Sequence, residues 1–140
     1  MTQRLPLRLV AYTAAYIGTD LDGDLAQIQV ASDRNNSAAG VTGALLYDRG
    51  RFVQVVEGPH VAIDHLLARL QRDPRISDWQ TLIDIDTDHR SCQRWALRIL
   101  RTDSRDMVAI EELNTFRDMY LRSFKPDAAG FIQLFQAILR

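Results

Sequence analysis

The stretch GVTGALLYDRGRFVQVVEG, from Gly40 to Gly58, constrains the fold more than any other part of the chain. It reads as two strands, Val41–Tyr47 and Arg51–Glu57, joined by Asp48-Arg49-Gly50, where the glycine supplies the positive φ of a tight hairpin. The second strand alternates with period 2, so Phe52, Gln54 and Val56 share one face while Val53 and Val55 share the other. Apolar residues on both faces predict a central strand covered on two sides. Gln54 then sits in mid-strand on a buried face, between Phe52 and Val56. A primary amide has two donors and an acceptor to satisfy, and one left unmet in the interior costs on the order of 1–3 kcal/mol. Gln54 therefore requires a partner.

The 140 residues, 46% of them hydrophobic, suit one domain with a proper core. A formal net charge of −1 steers the chain toward neither nucleic acid nor an anionic membrane. Cys92 is the sole cysteine, which excludes an internal disulfide and suits a reducing compartment. The N-terminal MTQRLPLRLV lacks the apolar run of a secretion signal, and no stretch approaches the ~20 apolar residues of a membrane span. The expectation is a soluble, cytoplasmic protein.

In chain order, Leu7–Thr13 reads as a first strand with Val10 and Tyr12 on one face. A phenol in mid-strand needs a hydrogen-bond partner, for which a backbone carbonyl would suffice. Thr19 or Asp20 can cap a helix running to about Asn35, with the apolar stripe Leu21, Leu25, Ile28. Its helical continuation passes through Ser32, Asn35 and Asn36. A stripe that turns polar is unusual; either amide could instead cap the helix before Gly40. Gly58-Pro59 opens a second helix to about Arg72, with Ile63, Leu66, Leu67 and Leu70 toward the sheet. Arg69 and Asp73 stand four apart beside that stripe, by default a solvated ion pair. Gln80–Thr87 reads as an edge strand with Leu82, Asp84 and Asp86 alternating against Ile83 and Ile85, and Trp95–Leu100 as a further strand.

The resulting order, βαββαββ, is an α+β, ferredoxin-like plan with two crossover helices on one face of the sheet. Beyond Thr102 the chain reads as helices over Met107–Ser123 and Asp127–Leu139. This pair is expected to cover the other face or to form a dimer interface with it, since an apolar sheet face left open favours association. The expected division is a domain over 1–102 and a helical extension over 103–140.

Rival chemistries are thinly supported. His60, His65, His89 and one cysteine form no metal-ligand spacing. Cys92 has no evident base, and no Gly-rich phosphate loop occurs. Asn36 and Arg69 could at most be bent toward an acyl-phosphate hydrolase. The positive signal is the set Tyr12, Asn36, Gln54 and Trp95, a phenol, two carboxamides and an indole, beside apolar stripes that form a slot for a flat heteroaromatic ligand.

Four segments, LVAYT, RNNSAAGVTGALLYDRGRFVQVVEG, LLARLQRDPRISDWQTL and RWALRI, give Leu7–Leu100 a resemblance to the BLUF domain, a family of blue-light sensors using flavin adenine dinucleotide. Asn36, Val41-Thr42-Gly43, Gln54 and Glu57-Gly58 all keep the family's relative spacing. The resemblance implies a non-enzymatic, stand-alone photoreceptor holding FAD non-covalently, with FMN or riboflavin as alternatives. It implies Tyr12 as the phenol that gives an electron and a proton to the excited flavin. Gln54 would bridge Tyr12 and the flavin N5/C4=O edge and rearrange after excitation, shifting absorption to the red. Asn36 and Asn35 would hold the ring's polar edge, Ile28 would pack in the binding slot, and Arg69 and Asp73 would meet the C2=O side and ribityl chain. Trp95 and Leu97 would relay the signal to a downstream protein or through a homo-oligomer. Two residues depart from the family pattern: Ala14 stands where a Ser is frequent, and Leu97 where a Met is usual. They leave room for a light-insensitive interaction module as the alternative.

Overall fold

The alternation of Phe52, Gln54 and Val56 against Val53 and Val55 is realised in the central strand of a five-stranded sheet. The computed structural model describes residues 5–91, 96–103 and 128–138. In chain order these form β1 (Leu7–Tyr16), α1 (Leu21–Ala39), β2 (Thr42–Asp48), β3 (Arg51–Pro59), α2 (His60–Gln71), β4 (Ile76–Thr87), β5 (Arg98–Arg101) and α3 (Ala128–Ile138). The strand order is β4-β1-β3-β2-β5. β3 runs antiparallel to β1 and β2, β4 antiparallel to β1, and β5 parallel to β2. This is the α+β, ferredoxin-like plan expected, with β3 inside and β4 at an edge.

Each face of β3 has its own cover. Val53 and Val55 join Leu9, Ala11, Ala44, Leu46 and Leu100 in a core closed by Phe131 and Phe135 of α3. On the opposite face, Val10, Val41 and Val56 pack against Ile63 and Leu66 of α2. Beside them Leu45, Phe52 and Leu97 pack against Leu25 of α1. Burial on both sides explains why β3 carries apolar side chains, Phe52 and Val56 on one face and Val53 and Val55 on the other, on both of its faces. The helix expected over Met107–Ser123 lies outside the described residues, as do Cys92 and Trp95. Among the described residues, no helix is long and apolar enough to cross a membrane.

Several element boundaries differ from the sequence expectation, each for a local reason. α1 is capped by Asp20, whose carboxylate accepts from the Gly23 N–H, and continues to Ala39. Neither Asn35 nor Asn36 caps it; Gly40, at φ 73°, takes the left-handed position that ends the helix. Gly58-Pro59 completes β3, and α2 begins at His60. Arg49 and Gly50 form the hairpin turn with φ of 51° and 84°, leaving Asp48 paired with Arg51 inside the ladder. β4 starts at Ile76, four residues ahead of Gln80, and is irregular against β1. One shift lies between Ala11 and Tyr12, so Leu82 and Ile83 both turn into the α3-side core instead of alternating. β5 begins at Arg98.

Gly43 has a steric role in this sheet. A Cβ built there would lie 2.3 Å from the Val55 carbonyl oxygen on the neighbouring strand. Gly43→Ala is accordingly expected to destabilise the protein by about 1–3 kcal/mol, because backbone of a central strand must shift to admit one methyl. Urea unfolding would show this as a lower midpoint at unchanged slope; an unaltered midpoint would refute it.

Candidate functional site

Tyr12 and Gln54 are direct cross-strand partners on β1 and β3, and both side chains stand on the face covered by α1 and α2. The period-2 geometry of two antiparallel strands puts them side by side. Tyr12 donates its O–H to Gln54 Oε1. The phenol is 2% exposed and the amide 5%. Burial, reinforced by the negative charge of Asp73, pushes the Tyr12 phenol above its ordinary pKa, so it remains a protonated donor at neutral pH. The Gln54 amide nitrogen has no hydrogen-bond partner among the described residues, and the side chain lines a cavity.

That cavity, about 250 Å³, lies between the sheet and the two helices. Tyr12, Leu45, Phe52 and Gln54 line it from the sheet, and Ile28, Ser32, Asn35 and Asn36 from α1. Leu66, Arg69 and Leu70 line it from α2, followed by Asp73, Arg75 and Ile76. The α1 stripe turns polar because its C-terminal half faces this cavity and not a dry core. Asn35 and Arg69 also line a second cavity, of about 620 Å³, between α1 and α2, together with His65 and Arg72.

Asn36 has two duties. It lines the cavity, and its amide nitrogen donates to the Ala96 carbonyl at 2.9 Å. One residue further on, Gln29 donates to the Leu97 carbonyl, also at 2.9 Å. The segment entering β5 therefore hangs on α1 by two side-chain amides. Leu97 is buried against Leu25, Leu45 and Phe52, behind the cavity wall and not in it.

Arg69 and Asp73 both line the cavity but do not pair with each other. α2 ends at Gln71, so Asp73 has left the helical face that Arg69 occupies. Its carboxylate instead accepts from the Arg75 backbone N–H and Nε, both at 2.9 Å, and from Nη2 at 2.7 Å. Those bonds hold the Asp73 carboxyl below its usual range. Arg75 also approaches Asp24 at 3.8 Å, which accepts from the Tyr16 hydroxyl at 2.5 Å. Burial, aided by that bond, pushes the Tyr16 phenol up to about 12. The exposed Arg69 guanidinium has no partner among the described residues, which leaves it available at the junction of the two cavities.

Arg75 and Ile76 in the cavity wall are not among the expected site residues, and neither is Trp79 beside it. The Trp79 ring stacks on Tyr12 with centroids 3.7 Å apart and planes 11° from parallel. Sequence alternation starts the strand at Gln80, beyond Trp79, and the site's expected indole is Trp95, which lies outside the described residues. The period-2 relation of Trp79 to Thr81 was the available signal, since the indole N–H donates to Thr81 Oγ1 at 3.0 Å.

The donor set fits a flavin ring. An uncommitted amide N–H₂ at the floor and two asparagines on α1 offer hydrogen bonds to a polar ring edge, and Ile28, Leu66 and Leu70 offer apolar flanks.

A family model described as sensors of blue-light using FAD (BLUF) matches residues 7–98. The beta subunit of photoactivated adenylate cyclase from Euglena gracilis is 41% identical over 59 residues, covering 42% of this chain and 7% of that subunit. The alpha subunit from the same organism is 37% identical over 67 residues, 48% of this chain and again 7% of the subunit. The chain thus corresponds to a small part of these cyclase subunits. Among solved structures, the dark state of the BLUF protein BlrB aligns with a TM-score of 0.79 at 27% identity, covering 96% of this chain and 98% of BlrB. The photo-activated state of BlsA aligns with a TM-score of 0.77 at 22% identity, over 95% and 94%, a likeness of fold.

The Asp73–Arg75 pair predicts a pH dependence. Because the folded-state pKa of Asp73 is lowered, its contribution to stability is full above about pH 4 and is lost as pH falls through the folded value. Asp73→Asn should cost up to about 1 kcal/mol near neutrality. The gap to the native protein in urea unfolding should close on acidification; a gap that persists unchanged would show that the pair contributes nothing.

Proposed function

Since the chain belongs to the BLUF family, the sensors of blue light using FAD, we propose that it is a blue-light photoreceptor switched by the Tyr12–Gln54 pair. The observation that carries this reading is the half-satisfied amide: Gln54 accepts from Tyr12 while its nitrogen has no partner among the described residues. A flavin bound in the cavity supplies the absorption of blue light and an excited state that accepts an electron. The chain supplies the rest.

Tyr12 is suited to give up an electron together with a proton, because its phenol is protonated and its O–H already lies on an acceptor, Gln54 Oε1. The electron leaves as the proton passes onto that oxygen; once the amide has rotated or tautomerised, an electron and a proton return to Tyr12, so the phenol is restored while a different Gln54 atom faces it and another faces the cavity. The altered hydrogen bond at the ring's edge accounts for a red-shifted signalling state. Asn35 and Asn36 would hold the polar edge, Ile28 the ring face, and Arg69 and Asp73 the C2=O side and ribityl chain. FAD suits the site better than FMN or riboflavin. The adjoining cavity presents Arg69, Arg72 and His65, groups that complement a diphosphate.

The output follows the two amides from α1. A change at the polar edge bears on Asn36, and through it on Ala96, whose neighbour Leu97 is held by Gln29 of the same helix. Leu97 offers no thioether for the family's usual relay, so the backbone of this segment, with Trp95, carries the displacement into β5. Leu100 of β5 shares a core with Phe131 and Phe135, which gives α3 the means to sense it. The recipient is a separate protein or a second copy of the chain, and its equilibrium shifts only by its differential affinity for the two states.

Absorption spectroscopy tests this. The native protein should carry a flavin band that moves to the red under blue light and returns in the dark. Gln54→Leu and Tyr12→Phe should each retain flavin but lose the shift. A shift persisting in both variants would sink the switch, and a protein that binds no flavin would sink the sensor reading altogether.

A further inference from the structure

Trp79 lies flat on the Tyr12 ring, with centroids 3.7 Å apart, and three features hold it there. First, β4 loses register with β1 between Thr13 and Ala15, and within that irregularity Asp78 adopts a φ of 53°. A non-glycine residue keeps this left-handed backbone only when its surroundings impose it. Second, Arg51 imposes it from β3. Its Nη1 donates to Asp78 Oδ2 at 3.0 Å, its Nη2 to the Asp78 carbonyl at 3.3 Å, and its Nε to Thr13 Oγ1 at 3.2 Å. By strand alternation Arg51 shares the face of Val53 and Val55, so this clasp grips the bulge from the side away from the cavity. The next side chain, Trp79, is thereby turned to the Tyr12 side. Third, the indole N–H donates to Thr81 Oγ1, on the β4 residue opposite Tyr12.

We infer that Trp79 is a positioning residue for the Tyr12–Gln54 pair: its indole seats the phenol ring and keeps water from it, so that the O–H stays on Gln54 Oε1. The inference rests on the sensor reading. Tyr12 is 2% exposed while Trp79 is half-buried, so the indole forms the boundary between the phenol and solvent. Burial is the leading cause of the raised Tyr12 pKa, with Asp73 second; Arg69 and Arg75 line the same cavity. Removing the indole admits water to the ring and loosens it. An aromatic stack is worth roughly a factor of two to ten in an equilibrium, and the thermal return to the dark arrangement should change by a factor of that order.

The experiment compares flavin-loaded native protein with Trp79→Ala, Trp79→Phe and Thr81→Val. Two quantities are read: exchange of the Tyr12 hydroxyl proton with water, by proton NMR assigned with Tyr12→Phe, and the dark-recovery rate. Trp79→Ala should speed hydroxyl exchange and alter recovery, each about two- to tenfold. Trp79→Phe should restore both, and Thr81→Val, which frees the indole without touching Tyr12, should fall between. If either quantity stays native in Trp79→Ala, the inference is overturned. Should that variant not bind flavin, Thr81→Val decides by the same criterion. A native protein without any light-induced shift would defeat the sensor reading, while Tyr12 hydroxyl exchange would still judge Trp79.

Discussion

The structure depends on a primary amide buried in the middle of its central strand. β3 carries two deeply buried polar side chains, and the fold treats them differently. Glu57 is fully buried, yet its carboxylate accepts from Thr42 Oγ1 at 3.2 Å and from the Ser91 N–H at 2.8 Å. Arg90 braces the same corner, donating to Thr42 Oγ1 and to the Gly40 carbonyl. The protein supplies those partners itself. Gln54 receives one bond, from Tyr12, and its nitrogen is left facing a cavity. A side-chain donor that faces a cavity with no partner among the described residues is open to a ligand.

The two-layered cover of the sheet follows from this division of labour. The α3 side is a dry core in which Phe131 and Phe135 close over small and branched side chains. The α1/α2 side is interrupted. Ile63 and Leu66 seal one half, Leu25 the other, and the cavity lies between them. The helix that bounds it is therefore only partly amphipathic: apolar where it packs, amide-bearing where it meets the cavity. Side-chain amides of the same helix, Gln29 and Asn36, also tie down the segment that enters β5.

The Tyr12–Gln54 pair is flanked by a second set of contacts besides those of the cavity. The Arg51 clasp, the left-handed Asp78 and the Trp79–Thr81 bond form a continuous set of contacts across β3, β1 and β4. A single hydrogen bond between two side chains is otherwise worth only about 1 kcal/mol. The Trp79 ring stacked on Tyr12 adds a contact to the phenol beyond that one bond.

Much of this was legible in the chain. The alternation within β3, the mid-strand Gln54, the stripe of α1 that turns to Ser32, Asn35 and Asn36, and the order of elements are all properties of short segments. A strand's period and a helix's stripe are set by local backbone geometry, so a dozen residues suffice to reveal them. Other features needed the folded chain. Asp73 pairs with Arg75 and not Arg69 because α2 stops at Gln71, and α1 passes Asn36 to end at Gly40. Trp79 reaches Tyr12 only because β4 slips register against β1, under the grip of an arginine 28 positions earlier in the sequence (79 − 51). Which distant partner a side chain meets depends on where a separate strand or helix end comes to rest, and no local periodicity encodes that.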